Sequence, residues 1–175
     1  MASSSERNVS ESEKFRRAIE ILLAHEGGLS EDPHDPGGIT HWGISLRSYP
    51  HLGVDGIRNL TRGQAIAIYR RDWWDRLRLG EIESPEVSAK VFDLAVNVGA
   101  GTGIRLLQKA LVATGHPLQV DGIIGPVTLK AANEADPDAL LAALREEAAH
   151  HYRLLIAKNP ELARYEKGWL NRAYA

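Results

Sequence analysis

Apolar positions along the chain recur mostly at helical spacing. Phe15, Ile19 and Leu22 stand at i, i+4 and i+7 and form one stripe of a helix. Ser10 and Glu13 open that helix as a capping box, and Gly27 and Gly28 close it. Residues 29–42 are a turn-rich loop with two Asp-Pro steps and a Gly pair. Residues 43–57 suit a small hairpin or a short helix. Thr61 and Gln64 open a second helix running to Trp74, and Ser84 with Pro85 opens a third that stops before Gly99. Further helices are expected over 103–113, from Pro126, from Asp136 and Pro137 to Lys158, and from Asn159 and Pro160 onward. The pattern predicts a mainly α protein, a single compact body with at most a small β element in residues 38–57.

A chain of 175 residues without cysteine can bury a sizeable core without disulfides or structural metal. The absence of cysteine excludes thiol nucleophiles, Cys-ligated zinc and iron–sulfur clusters. A net charge of −2 gives no global signal for nucleic acid. One local excess exists: Arg58, Arg62, Arg70, Arg71, Arg76 and Arg78 stand against Asp72 and Asp75, which suggests a stretch that meets anionic surfaces. No apolar run is long enough for a transmembrane helix, and the first residues lack the apolar region of a secretory signal. Residues 1–11 read as a disordered lead, and the protein is expected in the cytoplasm of its producer.

Glu26 is out of place. It continues the stripe of Phe15, Ile19 and Leu22, and it lies in the last turn of its helix, where the dipole disfavours a negative charge. Burial and the helix end both favour the protonated form, which suits a general acid. An isolated Glu-Gly-Gly is more often a solvated helix end with a glycine cap. Beyond it, Asp32 and Asp35 stand on a loop stiffened by Pro33 and Pro36. Either could supply the second carboxyl that glycosidases place across a cleft, and either could simply start a turn.

The run HEGGLSEDPHDPGGITHWGIS resembles the signature of glycoside hydrolase family 108, the peptidoglycan-cleaving N-acetylmuramidases of phages and bacteria. The matching positions are His25 to Gly28, Asp32 to Gly38, Thr40, Gly43 and Ile44. AIAIYRRDWWDRL is similar to the family's tyrosine–tryptophan helix. VFDLAVNVGAGTGIRLLQKAL resembles the helix opening its C-terminal part, and VDGIIGPVTLKAA resembles a turn found there and in other peptidoglycan-binding modules. His41 and Trp42 depart from the Asn and Phe, or similar pair, expected at their positions.

The resemblance implies a lysozyme-like helical fold, with a catalytic lobe over 12–83 and a peptidoglycan-binding-like lobe over 84–175 packed as one unit. It places the catalytic glutamate on Glu26. Phage-type lysozymes outside the family carry a Glu, an Asp and a Thr spaced much as Glu26, Asp35 and Thr40 are here. That similarity favours Asp35 over Asp32, with Thr40 seating a water. The activity so implied is hydrolysis of the β-1,4 bond between N-acetylmuramic acid and N-acetylglucosamine in bacterial peptidoglycan. It is expected to proceed without cofactor or metal, by a monomer released to the cell wall by a holin or another membrane-permeabilising partner. The same resemblance accommodates a non-catalytic peptidoglycan-binding component of a phage tail or secretion apparatus, or a lytic transglycosylase.

Other polar positions stay open at this level. Glu86, Lys90, Asp93 and Asn97 form a narrow polar stripe on an otherwise apolar helix. It reads either as a solvent strip with a Glu86–Lys90 surface pair, or as an edge that places Asn97 in the cleft against a sugar. Trp42 is the candidate for stacking on a sugar ring, and His41 beside it is a candidate contact. Tyr69 and Trp73 share a helix face and read mainly as core. His25, His34, His41, Asp32 and Asp35 lack metal-ligand spacing, and no serine has a nucleophile-elbow context.

Overall fold

The Ser10 side chain accepts a hydrogen bond from the Glu13 backbone N–H and opens α1, Glu11–His25. The expected capping box is only half formed, because the Glu13 carboxylate turns away to Arg16 and Arg17. This computed structural model describes residues 9–34 and 37–175. Most of the expected lead, and Asp35, lie outside the described residues. The helix begins at Glu11, within the span read from sequence as lead.

The chain then forms a two-stranded antiparallel hairpin, β1 Thr40–His41 and β2 Ile44–Ser45, with Thr40 opposite Ser45 and His41 opposite Ile44. Ser30 bridges back to Thr40 through reciprocal backbone hydrogen bonds. A 3-10 turn, Pro50–Leu52, leads into α2, Gly53–Arg58. Both readings of residues 43–57, hairpin and short helix, therefore describe parts of one segment.

A complete capping box between Thr61 and Gln64 opens α3, Arg62–Tyr69. The helix continues as a π-helical stretch, Arg70–Asp75, where the sequence predicts regular α-helix to Trp74. The wider turn redirects the tryptophans. Trp74 is fully buried and donates its indole N–H to Glu11 at 2.6 Å, whereas Trp73 is only partly buried.

Ser84 caps α4, Pro85–Val98. Gly99, at φ +94°, then turns the chain into α5, Ala100–Ala113. α6, Pro126–Glu134, and the long α7, Pro137–Lys158, follow. Asn159 opens a 3-10 stretch, Pro160–Tyr165, before α8, Glu166–Tyr174. The last helix thus starts later than Asn159 and Pro160 alone indicate.

α4 is the central element. It packs on α1, α5 and α7. Phe92 meets Trp74 and Tyr69 edge-on at 5.6 and 6.2 Å, and Phe15 at 6.2 Å. Full burial of such a ring stabilises the fold by about 1.5–3 kcal/mol. Gly103 lets α5 approach α4 closely: a Cβ there would stand 2.6 Å from the Ala95 Cα. The result is mainly α with one small sheet, in agreement with the lysozyme-like expectation.

Five of the six arginines between 58 and 78 are held in ion pairs. Arg58 meets Glu31 and Asp55, Arg62 meets Glu20, Arg70 meets Glu11 and Asp75, Arg71 meets Asp72, and Arg78 meets Glu81. The positive excess belongs to the linear sequence. In three dimensions acids from α1, α2 and the loops lie against it.

Candidate active site

Glu26 is the C-cap of α1. Its backbone has left the helix, at φ −83° and ψ 130°, but its N–H still donates to the Leu22 carbonyl. The carboxyl is mostly buried and does not face an empty apolar pocket. The Arg172 guanidinium of α8 donates to its Oε1 at 3.1 Å. Arg172 also donates to both oxygens of Asp93 on α4, at 3.0 and 3.1 Å. Burial works against the Arg172 charge, but Asp93 and Glu26 hold its pKa above the usual arginine value. Asp93 completes the group by meeting His25 Nδ1 at 3.2 Å. Two carboxylates from α1 and α4, a guanidinium from α8 and an imidazole thus form one network.

The hairpin supplies the opposite wall. Its two-residue turn, Trp42 and Gly43, has φ values of +54° and +78°, as a primed turn requires. For tryptophan this backbone is strained, and two hydrogen bonds hold it. The Trp42 indole N–H donates to the Leu60 carbonyl at 3.1 Å, and the Trp42 carbonyl accepts from the Tyr69 hydroxyl at 2.9 Å. Gly43 lies directly on the acid: a Cβ on it would stand 3.0 Å from Glu26 Cγ and Oε2 and would overlap the Tyr69 hydroxyl. Burial, and then the neighbouring Glu26 charge, push the Tyr69 phenol well above its ordinary pKa.

The residues singled out from sequence fall as follows. Glu26 and the turn at Trp42 come together. Thr40 starts the first hairpin strand, with its hydroxyl donating to the Gly38 carbonyl at 3.4 Å. The His41 ring stacks on Trp42, with centroids 5.5 Å apart, and its Nδ1 meets the Ile57 carbonyl at 3.1 Å. Trp42 packs partly against the core, so one portion of its ring supports the hairpin. Asn97 stands one helical turn beyond Asp93, is exposed, and donates to the Tyr152 hydroxyl of α7. Asp32 accepts from the His34 backbone N–H at 2.9 Å as a turn residue. Asp35 lies outside the described residues.

The solvent-strip reading of α4 does not hold. Lys90 and Asp93 are buried, and Lys90 donates to the Arg172 carbonyl at 2.7 Å rather than pairing with Glu86. Burial pushes its ammonium down to about 8. Sequence reasoning missed Arg172 and the site role of Tyr69. Tyr69 could be assigned to the core but not to the hairpin turn, and nothing in the local sequence marks Arg172. A groove of about 210 Å³ between α1, α4 and α7 is lined by His25, Lys90 and Asp93 but not by Glu26, so it adjoins the network without containing the acid.

Comparison with known proteins adds to this geometry. Residues 19–99 match the family Glycosyl hydrolase 108, and residues 102–174 match the family Predicted Peptidoglycan domain. Glu26, the hairpin and Asp93 lie in the first segment, and Arg172 lies in the second. Among solved structures, the chain is similar to SagA of Brucella abortus, at 26% identity and a TM-score of 0.74 over 93% of this chain and 90% of that one. A search of curated proteins gave no significant match.

Proposed function

From a chain that joins a glycosyl hydrolase 108 segment to a peptidoglycan-binding-like region, we propose a muramidase that cleaves the β-1,4 bond between N-acetylmuramic acid and N-acetylglucosamine. The match to that family over residues 19–99 supports a glycoside hydrolase acting on peptidoglycan; the particular bond and the residue roles are our reading. The observation that supports it is the fixed seat of Glu26. Its carboxyl closes α1, is wedged against the Gly43 turn, and stands where a polymer could approach across the glycines that follow.

In this reading Glu26 protonates the glycosidic oxygen as the bond from the anomeric carbon to that oxygen breaks. Asp35 takes a proton from a water whose oxygen attacks the anomeric carbon, and Thr40 helps to seat that water. Asp35 follows Glu26 by the loop that returns through Gly37 and Gly38 to the first strand, and its role rests on that place in the sequence. Trp42, His41 and Asn97 contact the sugars. The physiological setting we propose is that of an endolysin. The protein waits in the cytoplasm of its producer as a monomer and acts on the wall once a holin or similar partner opens the membrane. Among the described residues no helix is long and apolar enough to cross a membrane itself.

Glu26→Gln tests the reading. Glutamine keeps the shape and loses the proton, so turnover of purified peptidoglycan should fall by a factor on the order of 10²–10⁴ or more. The melting temperature should stay within a few degrees. Wild-type turnover by a folded Glu26→Gln protein would end the assignment. Product chemistry separates the remaining outcomes. Reducing ends that appear first as the α-anomer by proton NMR agree with direct attack by water. First appearance of the β-anomer, or an adduct on Asp35, would make Asp35 a nucleophile. An anhydro-sugar product would make the protein a lytic transglycosylase.

A further inference from the structure

Arg172 lies 146 positions after Glu26, in the segment that matches the peptidoglycan domain, yet its guanidinium is in the network around the acid. Its side chain is only 14% exposed, and Asp93 beneath it is 3% exposed. The contacts are unequal. Asp93 takes two hydrogen bonds, through Nε and Nη2, in the two-pronged geometry that fixes a guanidinium plane. Glu26 takes one, on Oε1 alone. Asp93 therefore anchors the arginine, and the arginine in turn orients Glu26. α8 itself is tied down beside the site, because the buried Lys90 donates to the Arg172 carbonyl.

We propose that Arg172 is a positioning residue for the acid, so that the C-terminal segment completes the hydrolytic site as well as serving the wall polymer. The inference rests on Glu26 being the general acid. Arg172 acts in two ways: it fixes the carboxyl against the Gly43 turn, and it places a positive charge beside it. The groups that face this charge are Glu26 at the end of α1, Asp93 and Lys90 on α4, Tyr69 on α3 and Tyr152 on α7, with His25 behind Asp93. The alkaline limb of the rate profile, where a general acid loses its proton, is the informative one. Lys90 is common to all the variants compared.

The test uses the full chain on purified peptidoglycan, with saturating rate and apparent KM recorded from pH 4 to 9. In Arg172→Met and Arg172→Gln the alkaline limb should move to higher pH, because a neighbouring cation no longer favours the ionised acid. Below the limb the saturating rate should fall roughly ten- to a hundredfold from loss of orientation, with KM little changed. Arg172→Lys keeps the charge and loses the fork. Its limb should stay at the wild-type pH while its rate falls. Melting temperatures identify which neutral variant is folded at the assay temperature. A wild-type limb in that variant overturns the proposal, as does a shifted limb in Arg172→Lys. If both neutral variants are unfolded, Arg172→Lys decides: a lysine variant with wild-type rate at every pH removes the positioning role. If Glu26→Gln retains turnover, it is the acid assignment that fails. If Glu26→Gln is inactive while the arginine variants keep the wild-type limb, only the present inference fails.

Discussion

Gly43→Ala should separate the hairpin from the acid with a single methyl group. Two costs act on the folded state. The backbone at φ +78° lies in the left-handed region, where a Cβ costs roughly 1–2 kcal/mol. The added carbon also overlaps the Tyr69 hydroxyl, which must withdraw and give up its 2.9 Å hydrogen bond to the Trp42 carbonyl. A lost hydrogen bond of this kind costs about 1 kcal/mol. The total of about 2–3 kcal/mol corresponds to a fall in melting temperature of roughly 4–12 °C for a chain of this size. The effect on turnover should be larger than stability explains, since the same methyl would stand 3.0 Å from Glu26 Cγ and Oε2 and must push the carboxyl aside. Misplacing a reacting group by about an ångström can cost on the order of a hundredfold in rate. Calorimetry or thermal circular dichroism gives the first quantity, and release of soluble fragments from peptidoglycan at 20 °C, where the variant is folded, gives the second. A Gly43→Ala protein with wild-type melting temperature and wild-type rate would refute the placement of the turn against Glu26.

Two further expectations concern the core. Gly103→Ala should lower the melting temperature without altering product chemistry, because its Cβ would meet the Ala95 backbone at 2.6 Å and force α4 and α5 apart; overpacking of this kind costs about 1–3 kcal/mol, read by urea denaturation. Lys90, pushed down to about 8 by burial from an ordinary 10.5, binds its proton less tightly folded than unfolded. Its contribution to stability therefore rises with pH between those values, and Lys90→Met should remove that part of the slope when unfolding free energy is measured from pH 7.5 to 10.

The helices were legible because their ends carry local chemistry. Ser84 with Pro85, Thr61 with Gln64, and Asp136 with Pro137 each satisfy backbone donors within three residues, so a short window of sequence contains the cause. The π-helical stretch after Tyr69 was not legible, because its register follows from where Trp74 finds Glu11 and the core, contacts more than sixty residues away in sequence. The candidate acid stood out as a carboxyl on an apolar stripe. Its surroundings did not: the argument from burial and the helix terminus had no way to include a guanidinium from α8. The partners of Lys90, Asp93 and Asn97 in the polar stripe on α4 lie on α1, α7 and α8, so the burial of Lys90 and Asp93 could not be read from the helix alone. The arginine stretch shows the same limit, since three of its ion-pair partners, Glu31, Glu20 and Glu11, come from elsewhere in the chain.

The distance along the chain between Glu26 and Arg172 also orders events during synthesis. The ribosome makes α1 and the hairpin early, and α8 more than a hundred residues later. Until α8 has been made and has docked on α4, a nascent chain holds the acid without its cation and Asp93 without its main partner. The seat of Glu26 is thus complete only once α8 has docked, so fragments released by stalled or prematurely terminated translation carry that glutamate in an unfinished setting.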